Sequence, residues 1–146
     1  MRTNRRGSQT AIYQLDAQIG YVLRQVSQRH TTLFARMIGD GLKPMQWAVL
    51  ARLYEIGVTP QTALGRAVSM DGATVKGTVD RLVKRGLAKR LRDPADGRKI
   101  LVDLTEAGRQ VTTRNFGRAI AISRETIAPL TESESVLLTQ LLEKLR

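Results

Sequence analysis

Apolar side chains recur at every third or fourth position in the first part of the chain, the spacing that gathers them on one face of an α-helix. The first such stripe consists of Ile12, Leu15, Ile19, Val22, Val26, Leu33 and Met37. It predicts one long amphipathic helix that begins at Ile12 and ends before Gly39, where two glycines flank Asp40. A stripe of this length exceeds what one neighbouring helix covers in a small domain, which indicates a contact with another molecule.

Capping residues place three further helices in the middle of the chain. A proline favoured in the first helical turn predicts a helix over residues 44–57. Thr59 is a candidate cap for a short helix with Pro60 in its first turn, and Asp71 is a candidate cap for the next helix, which stops at Gly86. Two short helices joined by a tight turn are typical of a helix-turn-helix motif.

From residue 87, apolar side chains recur at every second position instead of every third or fourth. Residues 87–92 and 100–104 alternate apolar and polar side chains around a segment rich in Asp-Pro and Asp-Gly, which predicts a β-hairpin. A long helix is predicted over residues 106–128, and Thr131 with Glu134 forms a capping-box pattern that starts a last helix. One face of that last helix carries Leu137, Leu138, Leu141, Leu142 and Leu145.

The order of these elements predicts a mainly α fold with a small β-hairpin wing, which is the layout of a winged helix-turn-helix. The chain also resembles the MarR-type transcriptional regulators. In that family a helix ends in Leu-x-x-x-Gly-Leu and is followed by Arg-x-x-Asp-Pro-x-Asp-x-Arg and by Leu-Thr-x-x-Gly. The matching positions are Leu82, Gly86, Leu87, Arg90, Asp93, Pro94, Asp96, Arg98, Leu104, Thr105 and Gly108.

The resemblance covers about residues 12–145 and implies a domain organisation. We expect a basic flexible tail at residues 1–10 and a single domain at 11–146. Within that domain, residues 42–104 would form the winged helix-turn-helix DNA-binding lobe, and residues 11–38 and 106–146 would form a helical dimerisation region. The resemblance thus implies a homodimer that binds a pseudo-palindromic operator in double-stranded DNA.

The distribution of charge favours the same partner. The 146 residues include 24 Lys and Arg against 13 Asp and Glu, a net charge of +11. The segment 66–99 alone holds ten basic and four acidic residues, so it carries +6. A one-signed excess on a helix and hairpin of this type indicates contact with nucleic acid rather than a merely solvated surface.

Several function classes are disfavoured by what the sequence lacks. It has no Cys and a single His, His30, which excludes disulfides, thiolate metal sites and multi-His metal sites, and no cofactor is expected. No nucleophile–base constellation is recognisable, so an enzyme is not expected. No apolar run is long enough for a transmembrane helix, and no basic helix has the aromatic rim of a membrane-surface segment, so a cytoplasmic location is expected.

The predicted DNA contacts follow from the two reading elements. The recognition helix should present Ala73, Thr74, Lys76, Gly77, Thr78 and Arg81 to base edges, while the phosphate and wing contacts should include Lys84, Arg90, Asp96, Arg98 and Lys99. Arg98 is assigned to the minor groove, with Asp96 holding its guanidinium. The alternative is that Asp96 and Arg98 only stabilise the turn. Gly77 has two interpretations, a close approach of the backbone to DNA or close packing against a neighbouring helix.

The resemblance also implies a small-molecule effector, an aromatic carboxylate or its CoA thioester, bound between the dimerisation helices and the DNA-binding lobe. The candidate ligand contacts are Tyr21, Arg24, His30, Phe34, Met45 and Trp47. For His30 a structural role on the apolar stripe stays open. Lys43 stands where family members often have a capping Thr, which predicts a weakly held start of the second helix. The competing function is an effector-independent architectural DNA-binding protein.

Overall fold

The computed structural model of the protein describes residues 12–146, so the basic tail predicted at residues 1–10 lies outside it. The helices are α1 (Ile19–Met37), α2 (Pro44–Ile56), α3 (Gln61–Ala67), α4 (Gly72–Lys84), α5 (Glu106–Ile127) and α6 (Glu132–Glu143). The strands are β1 (Thr59–Pro60), β2 (Ala88–Arg92) and β3 (Ile100–Leu104). Among the described residues, no helix has both the length and the apolar character needed to cross a membrane.

The elements from α2 to β3 form a winged lobe, residues 42–104, around one buried core. Leu50, Leu53, Leu64, Val79, Leu82 and Val102 are fully inaccessible to solvent. Helices α3 and α4 pack closely because Gly65 has no side chain. A Cβ at Gly65 would lie 3.2 Å from both Met70 O and Val75 Cγ1, so a larger residue would push the two helices apart.

Local capping signals explain where the lobe's main helix begins and ends. Asp71 Oδ1 accepts a hydrogen bond from the Thr74 N–H at 2.7 Å, as its position in the sequence predicts. The helix ends before Gly86, whose φ of 73° is the left-handed conformation that favours glycine. The lobe therefore holds α4 in place by a cap at each end as well as by its apolar face.

The Leu-Thr-x-x-Gly motif joins the lobe to α5. Thr105 Oγ1 accepts from the Gly108 N–H at 3.0 Å, which caps α5, and donates to Gly86 O at 2.6 Å. A Cβ on Gly108 would lie 1.9 Å from Leu87 O. Only glycine fits at this crossing, so the motif is a steric requirement of the joint between the hairpin and α5.

The structure corrects two of the predicted elements. The first helix starts at Ile19 rather than at Ile12, after a 3₁₀ turn at Leu15–Ala17. Ile12 is 87% exposed and no residue from 13 to 146 covers it, so the packing that stabilises an amphipathic helix is missing there. Thr59 is not a helix cap but belongs to β1, where it pairs with Val102 of β3.

The three strands form an antiparallel sheet in the order β1-β3-β2. The predicted hairpin is confirmed, with Ala88 opposite Leu104 and Arg92 opposite Ile100. The two-residue strand β1 was missed because its extended backbone is defined by its partner rather than by any alternation of its own.

Helices α1, α5 and α6 form a helical region outside the lobe. Helix α1 packs along α5 and buries Leu33 and Phe34 on one side and Ile122 on the other. Helix α6 has the predicted capping box, since Thr131 N–H donates to Glu134 Oε2 at 2.8 Å, but it buries no residue. Its apolar face is open to solvent at Val136, Leu137, Leu138, Leu141 and Leu142.

Candidate nucleic-acid interface and ligand cavity

Helix α4 presents part of the predicted recognition surface to solvent. Ala73, Lys76, Arg81 and Lys84 are exposed, and Thr74 is partly exposed. Thr78 is not available for DNA contact, which corrects its assignment. It is 2% exposed and its hydroxyl donates to Thr74 O at 2.8 Å, because it lies between Val75 and Leu82 on the buried face of the helix.

Gly77 lies on α4 beside the side chain of Arg81, one turn further along the same helix. The nearest atom to a Cβ built there is Arg81 Nη1, at 3.6 Å. No neighbouring helix of the described chain approaches this position, so the helix-packing interpretation of Gly77 is wrong. The gap left by the missing side chain faces the same side as Lys76 and Arg81, which leaves a close approach of DNA as the interpretation to test.

Arg90 was assigned to DNA, but the structure uses its guanidinium inside the lobe. Arg90 Nη1 lies 2.6 Å from Asp80 Oδ1, Nε donates to Gln61 Oε1 at 3.0 Å, and Nη2 donates to Lys76 O at 3.3 Å. The residue thus ties β2 to α3 and α4. Hydrogen bonds from Lys76 and Arg90 lower the pKa of Asp80, which keeps this carboxylate charged.

The wing tip spans residues 93–99 and exposes two cations. Arg98 and Lys99 are exposed, and within residues 12–146 no carboxylate pairs with the Arg98 guanidinium. Asp96 does not hold that guanidinium, contrary to the expectation. Its Oδ1 accepts from the backbone N–H of Arg98 at 3.1 Å, so Asp96 shapes the turn and leaves the Arg98 side chain free for an anionic partner.

The six residues predicted to share one ligand pocket are not brought together. Met45 and Trp47 stand two positions apart on α2 and so point to opposite sides of the helix. Trp47 borders a depression on the outer side of α2, Arg24 lines a groove on α1, and Met45 lines a third cavity. The cavities of the described residues thus do not unite all six, although the Arg24 groove and the Met45 cavity meet at Thr31.

The remaining three candidates are largely used in packing. Phe34 is buried in the contact of α1 with α5, and Tyr21 is partly buried near the start of α1. His30 Nδ1 lies 2.8 Å from Thr126 Oγ1, and that hydroxyl donates to Ile122 O. Because the hydroxyl proton is used, Nδ1 is the donor, and His30 joins α1 to α5 as its structural interpretation expects.

The cavity that includes Met45 lies between the two parts of the molecule. It has a volume of about 340 Å³ and is bounded by α1, the first turn of α2 and the middle of α4. Its walls are formed by Thr31, Lys43, Pro44, Met45, Gln46, Thr78 and Arg81. Lys43 and Arg81 give it two cations, and a volume of this size is within the range of small-molecule sites.

Gln46 was missed by the sequence analysis although its position carried a signal. Its Oε1 accepts from the backbone N–H of Lys43 at 3.2 Å, which is half of a capping box. The start of α2 is therefore held despite the absence of a capping Thr. A glutamine three residues after a candidate cap is the pattern that would have shown this.

Metal binding has no support in the described part of the chain. Between residues 12 and 146, no group of three His, Asp or Glu side chains is placed to hold a metal ion. The chemistry of the surface and cavity is instead that of cations and hydrogen-bond donors arranged to receive anions.

Comparison with known proteins agrees with this chemistry. The family model described as MarR family matches residues 42–100, which is nearly all of the winged lobe. The HTH-type transcriptional repressor NicR of Pseudomonas putida is 35% identical over 134 residues, covering 91% of this chain and 85% of NicR.

Solved structures extend the likeness to the whole fold. A probable transcriptional regulator from Pseudomonas aeruginosa is 50% identical with a TM-score of 0.89, covering 91% of this chain and 100% of that one. BpsR of Bordetella bronchiseptica, whose DNA binding is regulated by 6-hydroxynicotinic acid, is 36% identical with a TM-score of 0.87, covering 92% and 96%. The chain therefore belongs to the MarR family, and it is a DNA-binding transcriptional regulator rather than an enzyme.

Proposed function

We propose that the protein is a cytoplasmic repressor that binds a pseudo-palindromic operator as a homodimer and releases it when a small aromatic carboxylate, or its CoA thioester, binds. The observation that carries this proposal is the shared wall between the two sites. Arg81 stands on the recognition helix and also borders the cavity of about 340 Å³, so an occupant of that cavity touches the DNA-reading element itself.

The DNA-reading surface consists of the exposed side of α4 and the wing tip. Lys76, Arg81 and Lys84 are exposed on α4 and would contact the major groove and its phosphates. Arg98 and Lys99 are exposed at the tip and would enter the neighbouring minor groove. Two such lobes related by a two-fold axis would enter successive major grooves about 34 Å apart. Residues 42–104 thus serve as the DNA-binding lobe.

The dimer is supported by the open apolar face of the helical region. Residues 12–38 and 106–146 expose large apolar side chains on α1, α5 and α6 that the rest of the described chain does not cover. Exposed apolar patches of this extent on a regular helix pair mark an interface. A second copy of the same region would cover them.

The effector is proposed to be anionic and aromatic because of the walls of the cavity. Lys43 and Arg81 would receive a carboxylate, while Pro44 and Met45 provide apolar surface for a ring. BpsR, which shares the fold, has its DNA binding regulated by 6-hydroxynicotinic acid, an acid of this class. A hundredfold loss of operator affinity requires a coupling of about 2.7 kcal/mol, and operator DNA must weaken effector binding by the same factor.

The DNA-binding half is tested with a duplex that the wild-type protein selects from random sequence. Arg98→Ala should weaken binding to this duplex by about 1–3 kcal/mol without changing the melting temperature. Arg52→Ala, at an exposed position of α2 outside the proposed DNA and dimer surfaces, serves as the charge-matched control and should have little effect. Equal affinity of the wild type for unrelated duplexes would instead favour the architectural function.

The effector half is tested by titrating the selected complex with benzoate, hydroxybenzoates and 6-hydroxynicotinate. We expect at least one acid to release the DNA and Lys43→Met to raise the concentration required about tenfold or more. Arg52→Met is the matched control, because Arg52 lines a depression that shares no residue with this cavity. Equal sensitivity of the two variants would remove the cavity from the mechanism.

A further inference from the structure

The loop between α1 and α2 is pressed against α5. Gly39 N–H donates to Asn115 Oδ1 at 2.8 Å, and a Cβ on Gly39 would lie 2.2 Å from Arg118 Nη1. The next residue, Asp40, has φ 59° and so adopts a left-handed conformation that a residue with a side chain seldom takes. The loop therefore has a defined shape that α5 imposes.

The side chain of Asp40 is bound by α5 on two sides. Arg114 donates to it through Nε at 3.1 Å and Nη2 at 2.5 Å, and Asn115 Nδ2 donates at 2.7 Å. Asn115 is fully buried and its amide also bonds to Val111 O, so its position is fixed. Bidentate pairing of arginine with a carboxylate adds directional restraint to the attraction of the charges.

The main chain of Asp40 is bound by α4. The Asp40 carbonyl oxygen accepts from Arg85 Nη2, and Arg85 Nη1 donates to Gln46 Oε1 at 3.2 Å. Arg85 is the residue that ends α4. One residue thus connects the helical region, through its side chain, to the end of the recognition helix, through its carbonyl group.

We infer that Asp40 and Arg85 are positioning residues for operator binding, which fix the angle of the recognition helix relative to α5. Helix α4 has 13 residues and is roughly 20 Å long at 1.5 Å per residue. A tilt of about 10° at its Arg85 end would move its other end by about 3 Å, more than a hydrogen bond to a base edge tolerates. The contact acts on affinity without touching DNA.

A positioning role and a purely electrostatic role predict opposite changes in DNA affinity when Asp40 is replaced. Replacing Asp40 by Asn removes a negative charge from a protein that binds a polyanion, so long-range electrostatics predicts equal or tighter DNA binding. Loss of the paired contact with Arg114 instead predicts weaker DNA binding. Asn also tolerates the left-handed conformation, so the loop itself is retained.

The experiment measures affinity of the full chain for the duplex selected by the wild type. Asp40→Asn should weaken binding about threefold or more at constant salt. Glu55→Gln is the matched control, because Glu55 loses the same charge from an exposed pair with Arg52 and should bind as tightly as the wild type or more so. Equal or tighter binding by Asp40→Asn would overturn the inference.

A second pair of variants covers the case in which Asp40→Asn unfolds. Arg85→Lys keeps the charge but cannot bridge Asp40 O and Gln46 Oε1 together, so it should weaken binding while the dependence on salt is unchanged. Arg114→Ala should weaken binding too, and its effect should be less than additive with that of Arg85→Lys. Full affinity in Arg85→Lys would contradict the positioning role.

Discussion

The winged lobe and the helical region are stabilised in different ways. The lobe closes its own core, with Leu50, Leu53 and Leu82 fully inaccessible, and its polar side chains such as Arg90 find partners inside it. Helix α6 buries nothing in the protomer and leaves Leu141 48% exposed. The lobe is thus complete within one chain, whereas the helical region depends on a second copy for the burial that stabilises it.

This difference separates the two functions of the chain. Base reading requires a rigid surface, and a self-contained core provides one. Control of the distance between two such surfaces requires a region whose packing involves both copies. Effects of mutation in the lobe should therefore be independent of protein concentration, while effects in the helical region should depend on it.

The largest effect is expected from a cavity in the lobe. Leu53→Ala should lower the free energy of unfolding by about 2–5 kcal/mol, because Leu53 is fully buried and its neighbours cannot collapse into the space. Urea unfolding at two protein concentrations would measure it, with the loss the same at both. A loss that shrinks at high concentration would show that the lobe's core also depends on the dimer.

The next effect concerns the open face of α6. Leu141→Glu should convert the protein to a monomer and reduce operator affinity by about a hundredfold, because a charge at a covered apolar position is costly. Ile56→Glu is the matched control, since Ile56 is likewise 48% exposed but stands at the end of α2 in the lobe. Sedimentation and duplex binding would show both results, and a dimeric Leu141→Glu would contradict the comparison.

A smaller effect is expected at Gly77, where one substitution should raise stability and weaken DNA binding. Gly77→Ala should raise the stability of the lobe by about 0.5–1 kcal/mol, because alanine favours the helix and its Cβ would make only an ordinary contact with the Arg81 side chain. The same change should weaken operator binding if the backbone of α4 approaches DNA there. Thermal unfolding and duplex affinity measured on one sample separate the two. Unchanged affinity would leave the glycine without a role in DNA contact.

The smallest expected effect is on how stability depends on pH under acidic conditions. Hydrogen bonds from Arg114 hold the pKa of Asp40 below its ordinary value of 3.8. The charged carboxylate therefore stabilises the fold above that value, and this contribution is lost as the pH falls through the lower folded value. Urea unfolding between pH 6 and pH 3 should show a shallower pH dependence in Asp40→Asn than in the wild type. Identical slopes would mean that the contact does not stabilise the folded state.

The features that could be predicted from sequence are those set by residues close to one another along the chain. The recognition helix and hairpin were predicted because Asp71, Gly86 and the Asp-Pro and Asp-Gly turns act on their immediate neighbours. The burial of Thr78 was not predicted, because threonine occurs on either face of a helix and only its packing determines whether it is buried.

Features formed between distant segments could not be predicted. Arg90 is used by Gln61 and Asp80, 29 and ten positions away, and any exposed arginine in a basic segment has the same sequence signature. The cavity draws its walls from α1, α2 and α4, so no single stretch of sequence carries its pattern. The predicted ligand residues came from resemblance and from residue type, which do not determine which side of a helix a residue occupies.

The bonds of Arg90 have a consequence for the DNA that the lobe reads. Because Arg90 joins β2 to α3 and α4, the hairpin and the recognition helix turn as one body. Successive base pairs are rotated by about 34° about the DNA axis. In the proposed complex, the base pairs contacted by the wing and those contacted by the recognition helix are therefore separated by a fixed rotation about that axis. An operator with one base pair inserted between these base pairs would present one of the two sets rotated away from the residues proposed to read it.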